Sequence, residues 1–393
     1  MEIYMDHAAT TAVHPAVLQE MEPYFTEKYY NPSGNYRLGQ AVKQTLYQMR
    51  ERIAAVIGAE PGEIFFTGGG TESDNWVIQS YGQEREKGHI ITTRIEHHAI
   101  GHSCKRLERQ GGSVTYLNTD KRGRVHLSDV RQAIRKETAL ISIMYANNEI
   151  GTIQPVSEIG ALAKEYGIPF HTDAVQACGQ VPIHVKRQGI KLMSASAHKF
   201  HGPKGTGFLY AEQGIKLYNL LEGGAQESGI RSGTENVPGI VGMAAALELA
   251  SRTMEARMQE ETKLRDYMIT RIVREIPYAR LNGHSWYRLP NNINVAFRFV
   301  NSVPLLVWLD MNGICASGGS ACNSGSTKPS HVIEAIQVPD EYKQGVIRLT
   351  IGEENTKEDA DCVVELLKTK IQELRLQSPE YEDFMRNSKP SAE

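Results

Sequence analysis

Short apolar runs recur along the first half of the chain, and each stops abruptly at a cluster of polar or small residues. Ile64-Phe65-Phe66 precedes TGGGTESDN, Ile90-Ile91 precedes TTRIEHHAI, and Leu140 to Met144 runs into YANNEIG. The pattern continues with GIPF before HTDAVQ and GIKLM before SASAHK. Alternation of such runs with helical stretches predicts βαβ units around a largely parallel sheet. Ligands bind such sheets outside the carboxyl ends of the strands, which is where these polar clusters fall. Between them Leu38, Val42, Leu46, Met49, Ile53 and Val56 recur at helical spacing, predicting an amphipathic helix over residues ~38–58 packed on the sheet.

From about residue 255 the pattern changes. A long charged helix, RMQEETKLRDYMITRIVREI, leads to strand-like NNINVAF, a loop rich in glycine and serine, strand-like GVIRLTI and a last helix. Thr356, with Asp359 three residues later, caps that helix, and Val363, Leu367, Ile371 and Leu374 share one face. The expected organisation is α/β, with a large domain over residues 15–255 and a smaller α+β domain from residues 1–14 and 256–376. Residues 377–393 read as a polar C-terminal tail.

Composition narrows the partners. Over 393 residues, 43 basic and 46 acidic side chains nearly cancel, and no run rich in lysine and arginine stands out, so no direct nucleic-acid contact is expected. No apolar run approaches the ~20 residues that span a bilayer, and MEIYMDHAAT lacks the basic flank and apolar core of a signal peptide. A cytoplasmic protein without membrane contact is expected. The five cysteines are scattered, odd in number and without a Cys-x-x-Cys pair, which predicts free thiols rather than a disulfide framework or a zinc ribbon.

Three clusters carry candidate chemistry. In TGGGTESDN, a strand, three glycines and Thr71 at a helix start form a turn whose N–H groups can wrap a phosphate. In HTDAVQ, Asp173 sits at a strand end, where a carboxylate can hold a proton on a heterocyclic nitrogen; taken singly it also reads as a helix cap. In SASAHKFHGPKG, Lys199 stands among small residues and between histidines, a setting for an amine that condenses with an aldehyde; taken singly it also reads as a solvated lysine. A phosphate cup, a ring-nitrogen carboxylate and a Schiff-base lysine together are the set that pyridoxal 5'-phosphate requires. His97 in IEHHAI then supplies a flat ring to stack on it. His98 and His102 stand four apart, as metal ligands can, but no H-E-x-x-H pattern accompanies them and no metal is expected. Downstream, Cys322 lies in SGGSACNSGS, a loop that suits a nucleophile more than a core residue, whereas Cys315 ends an apolar run and reads as structural. Arg348 is a lone guanidinium in a strand, suited either to a carboxylate ligand or to an ordinary ion pair.

From YMDHAATT to about residue 375, the motifs NPSG, TGGGTESDN, EHHA, NNEIG, DAVQ, SAHKFHGPKG, RSGTENVPG and SGGSACNSGS follow one another in order. In this the chain resembles the pyridoxal-phosphate cysteine desulfurases of the class V aminotransferase group, in the branch that serves nitrogenase and iron–sulfur cluster assembly. The resemblance implies the pyridoxal-phosphate-dependent transferase fold, aminotransferase-like and of fold type I, and conversion of L-cysteine to L-alanine. It implies that Lys199 bears the cofactor as a Schiff base, His97 stacks on the ring, Asp173 holds the pyridine nitrogen and Gln176 reaches the ring hydroxyl. Gly70, Thr71, Ser196 and His198 bind the phosphate, and Thr234 of the partner subunit completes that cup in a homodimer. Asn148 serves both the cofactor and, with Arg348, the substrate carboxylate. Cys322 receives the sulfur as a persulfide and passes it to an acceptor protein, an iron–sulfur scaffold or a tRNA-thiolation enzyme. Tyr36, Gly70 and Asn323 depart from the usual histidine, alanine and threonine or serine, and Arg231 carries no role in this reading. A selenocysteine lyase or another class V activity, and a non-catalytic subunit of a sulfur-transfer complex, are the rival readings.

Overall fold

The computed structural model describes residues 2–83, 88–318 and 329–387; Cys322 and Asn323 lie outside the described residues. Each of the five apolar runs is a strand of one seven-stranded sheet. Its order is Ile64–Thr67, Gly207–Ala211, Leu192–Ser196, Phe170–Asp173, Thr138–Ser142, His89–Thr93 and Ser113–Leu117. Gly207–Ala211 is antiparallel to both its neighbours, and from Leu192–Ser196 onward the strands are parallel. Most of the central strands are buried along their whole length, the signature of a sheet covered on both faces. For the same reason Gly207–Ala211 shows no polar alternation in sequence.

The helix Arg37–Ile57 lies on this sheet and buries Val42, Leu46, Met49, Ile53 and Ile57. Leu38, counted in the expected stripe, is exposed. Gly58 ends the helix at φ 70°, a left-handed position that glycine adopts without a Cβ penalty.

One helix, Val237–Glu275, runs unbroken past residue 255, so the expected domain division falls inside it. Its first turns, from Val237 to Ala250, pack into the core of the large sheet, while Met268 and Ile272 enter a second core. That second core lies beneath an antiparallel sheet ordered Ser317–Gly318, Val346–Thr350, Asn292–Phe297 and Ala279–Leu281. The helix Lys357–Leu376 closes it with Ala360, Val363, Leu367 and Ile371, and starts at the expected Thr356–Asp359 capping box. At the other end of the chain, Ile3–Tyr4 pairs in parallel with Ile314–Cys315.

The polar tail is structured through residue 387. Pro379–Asn387 is helical, and Phe384 packs against Phe299 and Tyr278 at ring distances of 5.1 and 5.4 Å. Those few apolar contacts anchor a segment whose composition is otherwise that of a solvated end. Among the described residues, no helix is long and apolar enough to cross a membrane.

Candidate active site

The site is assembled at the carboxyl ends of the parallel strands. Asp173 is the last residue of Phe170–Asp173, Ser196 ends Leu192–Ser196, and Ala197–Lys199 is the single 3₁₀ turn that follows. Gly70 opens the helix Gly70–Gln83 just beyond Ile64–Thr67, and His97 caps the helix His98–Arg109, its Nδ1 accepting the Ala99 N–H at 3.2 Å. A cavity of about 410 Å³ brings together Gly70, Thr71, His97, Asn148, Asp173, Gln176, Ser196, His198, Lys199 and Arg348. Of the expected site residues, Thr234 is exposed and does not line this cavity.

The N-terminal segment forms one wall. Lys199 Nζ donates to the carbonyl oxygens of Ala8 and Ala9 at 2.6 and 2.8 Å, and Gln176 Nε2 donates to the same Ala8 oxygen at 3.0 Å. Arg348 is buried, donates to Asp6 Oδ1 at 2.7 Å and to the Asn148 carbonyl at 2.9 Å, and keeps one nitrogen, Nε, without a partner. Of the two readings of Arg348, the ion pair is present, with Asp6, and the side chain also lines the cavity. Asn147 holds the turn beneath, its Oδ1 accepting the Glu149 and Ile150 N–H groups, which leaves Asn148 to face the cavity.

Burial dominates the electrostatics. Asp173 is raised above the ordinary carboxylate range by burial, opposed by His97, by the Val175 N–H at 2.9 Å and by Lys199. His198 is pushed down to about 4 by burial and by the nearby Lys199 and Lys204, so it is a neutral hydrogen-bonding group at pH 7. Its Nδ1 lies 3.2 Å from Thr10 Oγ1. Glu149, also in the wall, is raised to about 7 by burial. A second cavity adjoins the first through Gly70, Thr71, Ser196 and His198 and adds Thr10, Gly68, Gly69 and Lys204.

The aminotransferase class-V family model matches residues 3–363. The chain belongs to the class V aminotransferase family. It is 52% identical over 379 residues to a cysteine desulfurase IscS of Methanosarcina thermophila, covering 96% of this chain and 94% of that protein. A solved NifS-like protein superposes with a TM-score of 0.88 at 37% identity, covering 95% of this chain and 99% of that one. A structure of SspA in complex with cysteine superposes with a TM-score of 0.79 at 35% identity, over 89% and 99% of the two chains. The architecture is accordingly the aminotransferase-like fold of pyridoxal-phosphate enzymes.

Class V enzymes of the cysteine desulfurase type depend on pyridoxal phosphate, and the residues present fit that group. An amine, a buried carboxylate and an imidazole share one cavity, and a helix N-terminus, where N–H groups point outward, adjoins them. The turn is also packed tightly: a Cβ at Gly70 would run into Val175 Cγ2, so an alanine there would require Val175 to move. Several wall residues are not among the expected ones: Asp74, Met144, Glu149 and His331, with His98 noted only for its spacing to His102. Asp74 was open to discovery, standing one helical turn beyond Thr71 in TESDN, and Glu149 likewise in NNEIG.

Proposed function

We infer that this protein is a pyridoxal-phosphate-dependent cysteine desulfurase that takes sulfur from L-cysteine and leaves L-alanine. The observation that carries this is the convergence of Lys199, Asp173 and His97 on one cavity in a chain whose relatives are cysteine desulfurases. The cysteine bound by the structural neighbour SspA supports the substrate class.

Lys199 is the residue that attaches the cofactor, Asp173 holds its ring nitrogen, His97 lies against its ring and Gln176 meets its ring hydroxyl. Gly70, Thr71, Ser196 and His198 hold its phosphate. Bound there, pyridoxal phosphate supplies an electron sink for charge developing at the substrate Cα. The Lys199 amine, held at the cavity wall by the Ala8 and Ala9 carbonyl oxygens, moves the Cα proton. Asn148 and Arg348 orient the substrate carboxylate, the guanidinium offering the planar donor fork that carboxylates match. The Cys322 thiol receives the sulfur as a persulfide while the carbon skeleton leaves as alanine, and His97 moves protons at the sulfur.

The working form in this reading is a homodimer in which Thr234 of the partner subunit completes the phosphate cup. The persulfide is delivered to an acceptor protein for iron–sulfur cluster assembly or tRNA thiolation. The test is to supply purified protein with pyridoxal phosphate, L-cysteine and a thiol reductant and to measure alanine and sulfide. Equal yields of the two, abolished together in Lys199→Ala, are expected; turnover near the wild-type rate in Lys199→Ala would overturn the assignment.

A further inference from the structure

Behind the cavity wall that carries Asp173, a line of buried polar groups crosses three adjacent strands. Ser142 Oγ lies 2.9 Å from His171 Nδ1, and His171 Nε2 lies 3.0 Å from Ser194 Oγ. Ser194 in turn hydrogen-bonds the carboxyl group of Asp74. Strand register produces this line, since Ser142 pairs with His171 and Ser194 pairs with Asp173. Asp74 comes down onto it from the helix Gly70–Gln83. All four groups are sealed from solvent, and Asp74 is 1% exposed.

Asp74 also reaches the cavity. Asp74, His97 and Asp173 each bring a ring nitrogen or carboxyl oxygen within 4.8 Å of the others, and Asp74 Oδ1 has no hydrogen-bond partner. Two carboxylates this close in a dry site do not both ionise. The surroundings divide them. Asp173 accepts the Val175 N–H and faces the cavity with Lys199 and His97. Asp74 faces Asp173, Glu96, the His97 ring that the two carboxyls share, and the imidazole of His171, whose Nε2 lies 3.8 Å from Oδ1, and its one described donor is the Ser194 hydroxyl. His171 is pushed down to about 3 by burial, so it orients Ser194 without bringing a charge.

We propose that Asp74 is a positioning residue that stays protonated, so that Asp173 is the single anion available to the cofactor's ring nitrogen. This rests on the pyridoxal phosphate reading of the cavity. Burial and the neighbouring Asp173 both act in its favour, holding Asp74 well above the ordinary carboxylate range.

The test compares Asp74→Asn with Asp74→Ala by titrating apoprotein with pyridoxal phosphate and following the pH midpoint of the visible band of the lysine-bound cofactor. Asparagine is neutral, of the same shape, and keeps an acceptor for Ser194, so wild-type affinity and midpoint are expected. Alanine opens the dry wall to water beside Asp173; a loss of about tenfold in affinity and a midpoint shift of about one pH unit are expected, the scale of one pKa unit. An asparagine variant as impaired as alanine would show that Asp74 works as an anion, and an alanine variant equal to wild type would show that it positions nothing; either overturns the proposal. Should Asp74→Ala not fold, as judged by circular dichroism of the apoprotein, Ser194→Ala reads the same link and must shift the midpoint. Wild-type protein that binds no pyridoxal phosphate, or an Asp173→Asn variant with unchanged affinity and band, would instead refute the cofactor reading itself.

Discussion

Glu72 and Arg231 meet in a two-pronged ion pair, with Nε to Oε1 at 2.7 Å and a terminal nitrogen to Oε2 at 3.1 Å. Glu72 Oε2 also accepts the Gly68 N–H at 2.7 Å. Through one carboxylate, Arg231 therefore braces the glycine turn that opens the helix Gly70–Gln83, which gives the arginine of RSGTENVPG a place in the site. Arg231→Ala is expected to lower pyridoxal phosphate affinity by about tenfold while the fold survives, because the turn loses its brace rather than a ligand. Arg231→Lys should recover only part, since an ammonium lacks the planar fork. Equilibrium titration of the apoproteins checks both, and wild-type affinity in the alanine variant would refute the brace.

The four described cysteines are all absent from the cavity lining: Cys104 and Cys178 are buried, Cys315 is half-buried and Cys362 is exposed. Burial pushes Cys178 up to about 12 and also raises Cys104, so neither offers a thiolate at neutral pH. In the proposed reading, Cys322 carries the sulfur. Sulfide release should drop to background in Cys322→Ser and persist in Cys315→Ser and Cys362→Ser. Mass spectrometry of the enzyme after cysteine and alkylation should place the persulfide on the peptide that contains Cys322.

Thr234 is exposed and lines neither of the two adjoining cavities of its own chain. If it serves the neighbouring site, a heterodimer of Lys199→Ala and Thr234→Ala subunits holds one site with both lesions and one with neither. Activity is then expected to return on mixing, with differentially tagged subunits proving heterodimer formation. Confirmed heterodimers without activity would contradict the shared cup.

Glu96 carries a pH dependence of stability. Its Oε1 accepts the Thr93 hydroxyl at 2.7 Å and the Met144 N–H at 3.0 Å, while Oε2 is buried without a partner. Burial raises it to about 8 from an ordinary 4.5. Between those values the folded chain keeps a proton that the unfolded chain has lost, so the contribution is full below 4.5 and disappears as pH rises through 8. Glu96→Gln has no proton to lose. Its unfolding free energy from denaturant titration should match wild type near pH 4.5 and exceed it at alkaline pH, by on the order of a few kcal/mol. Parallel pH profiles for the two proteins would exclude the effect.

Local chemistry along the chain determined the frame. An apolar run ending in a polar cluster predicts a strand with reactive groups at its carboxyl end, and Asp173, Lys199 and Gly70 stand there because strand and turn are settled within a few residues. The helix over 37–57 and the Thr356–Asp359 cap followed from period and capping chemistry in the same way. Tertiary structure alone decided the partners. Arg231 meets Glu72 across 159 residues and Arg348 meets Asp6 across 342, contacts that depend on how elements pack. Ser142, His171 and Ser194 resemble ordinary polar residues in sequence, and only strand register aligns them behind Asp74. The protonation of Asp74, Glu96 and His171 was hidden for the same reason: burial and neighbouring charge set it, and both arise only when distant segments meet.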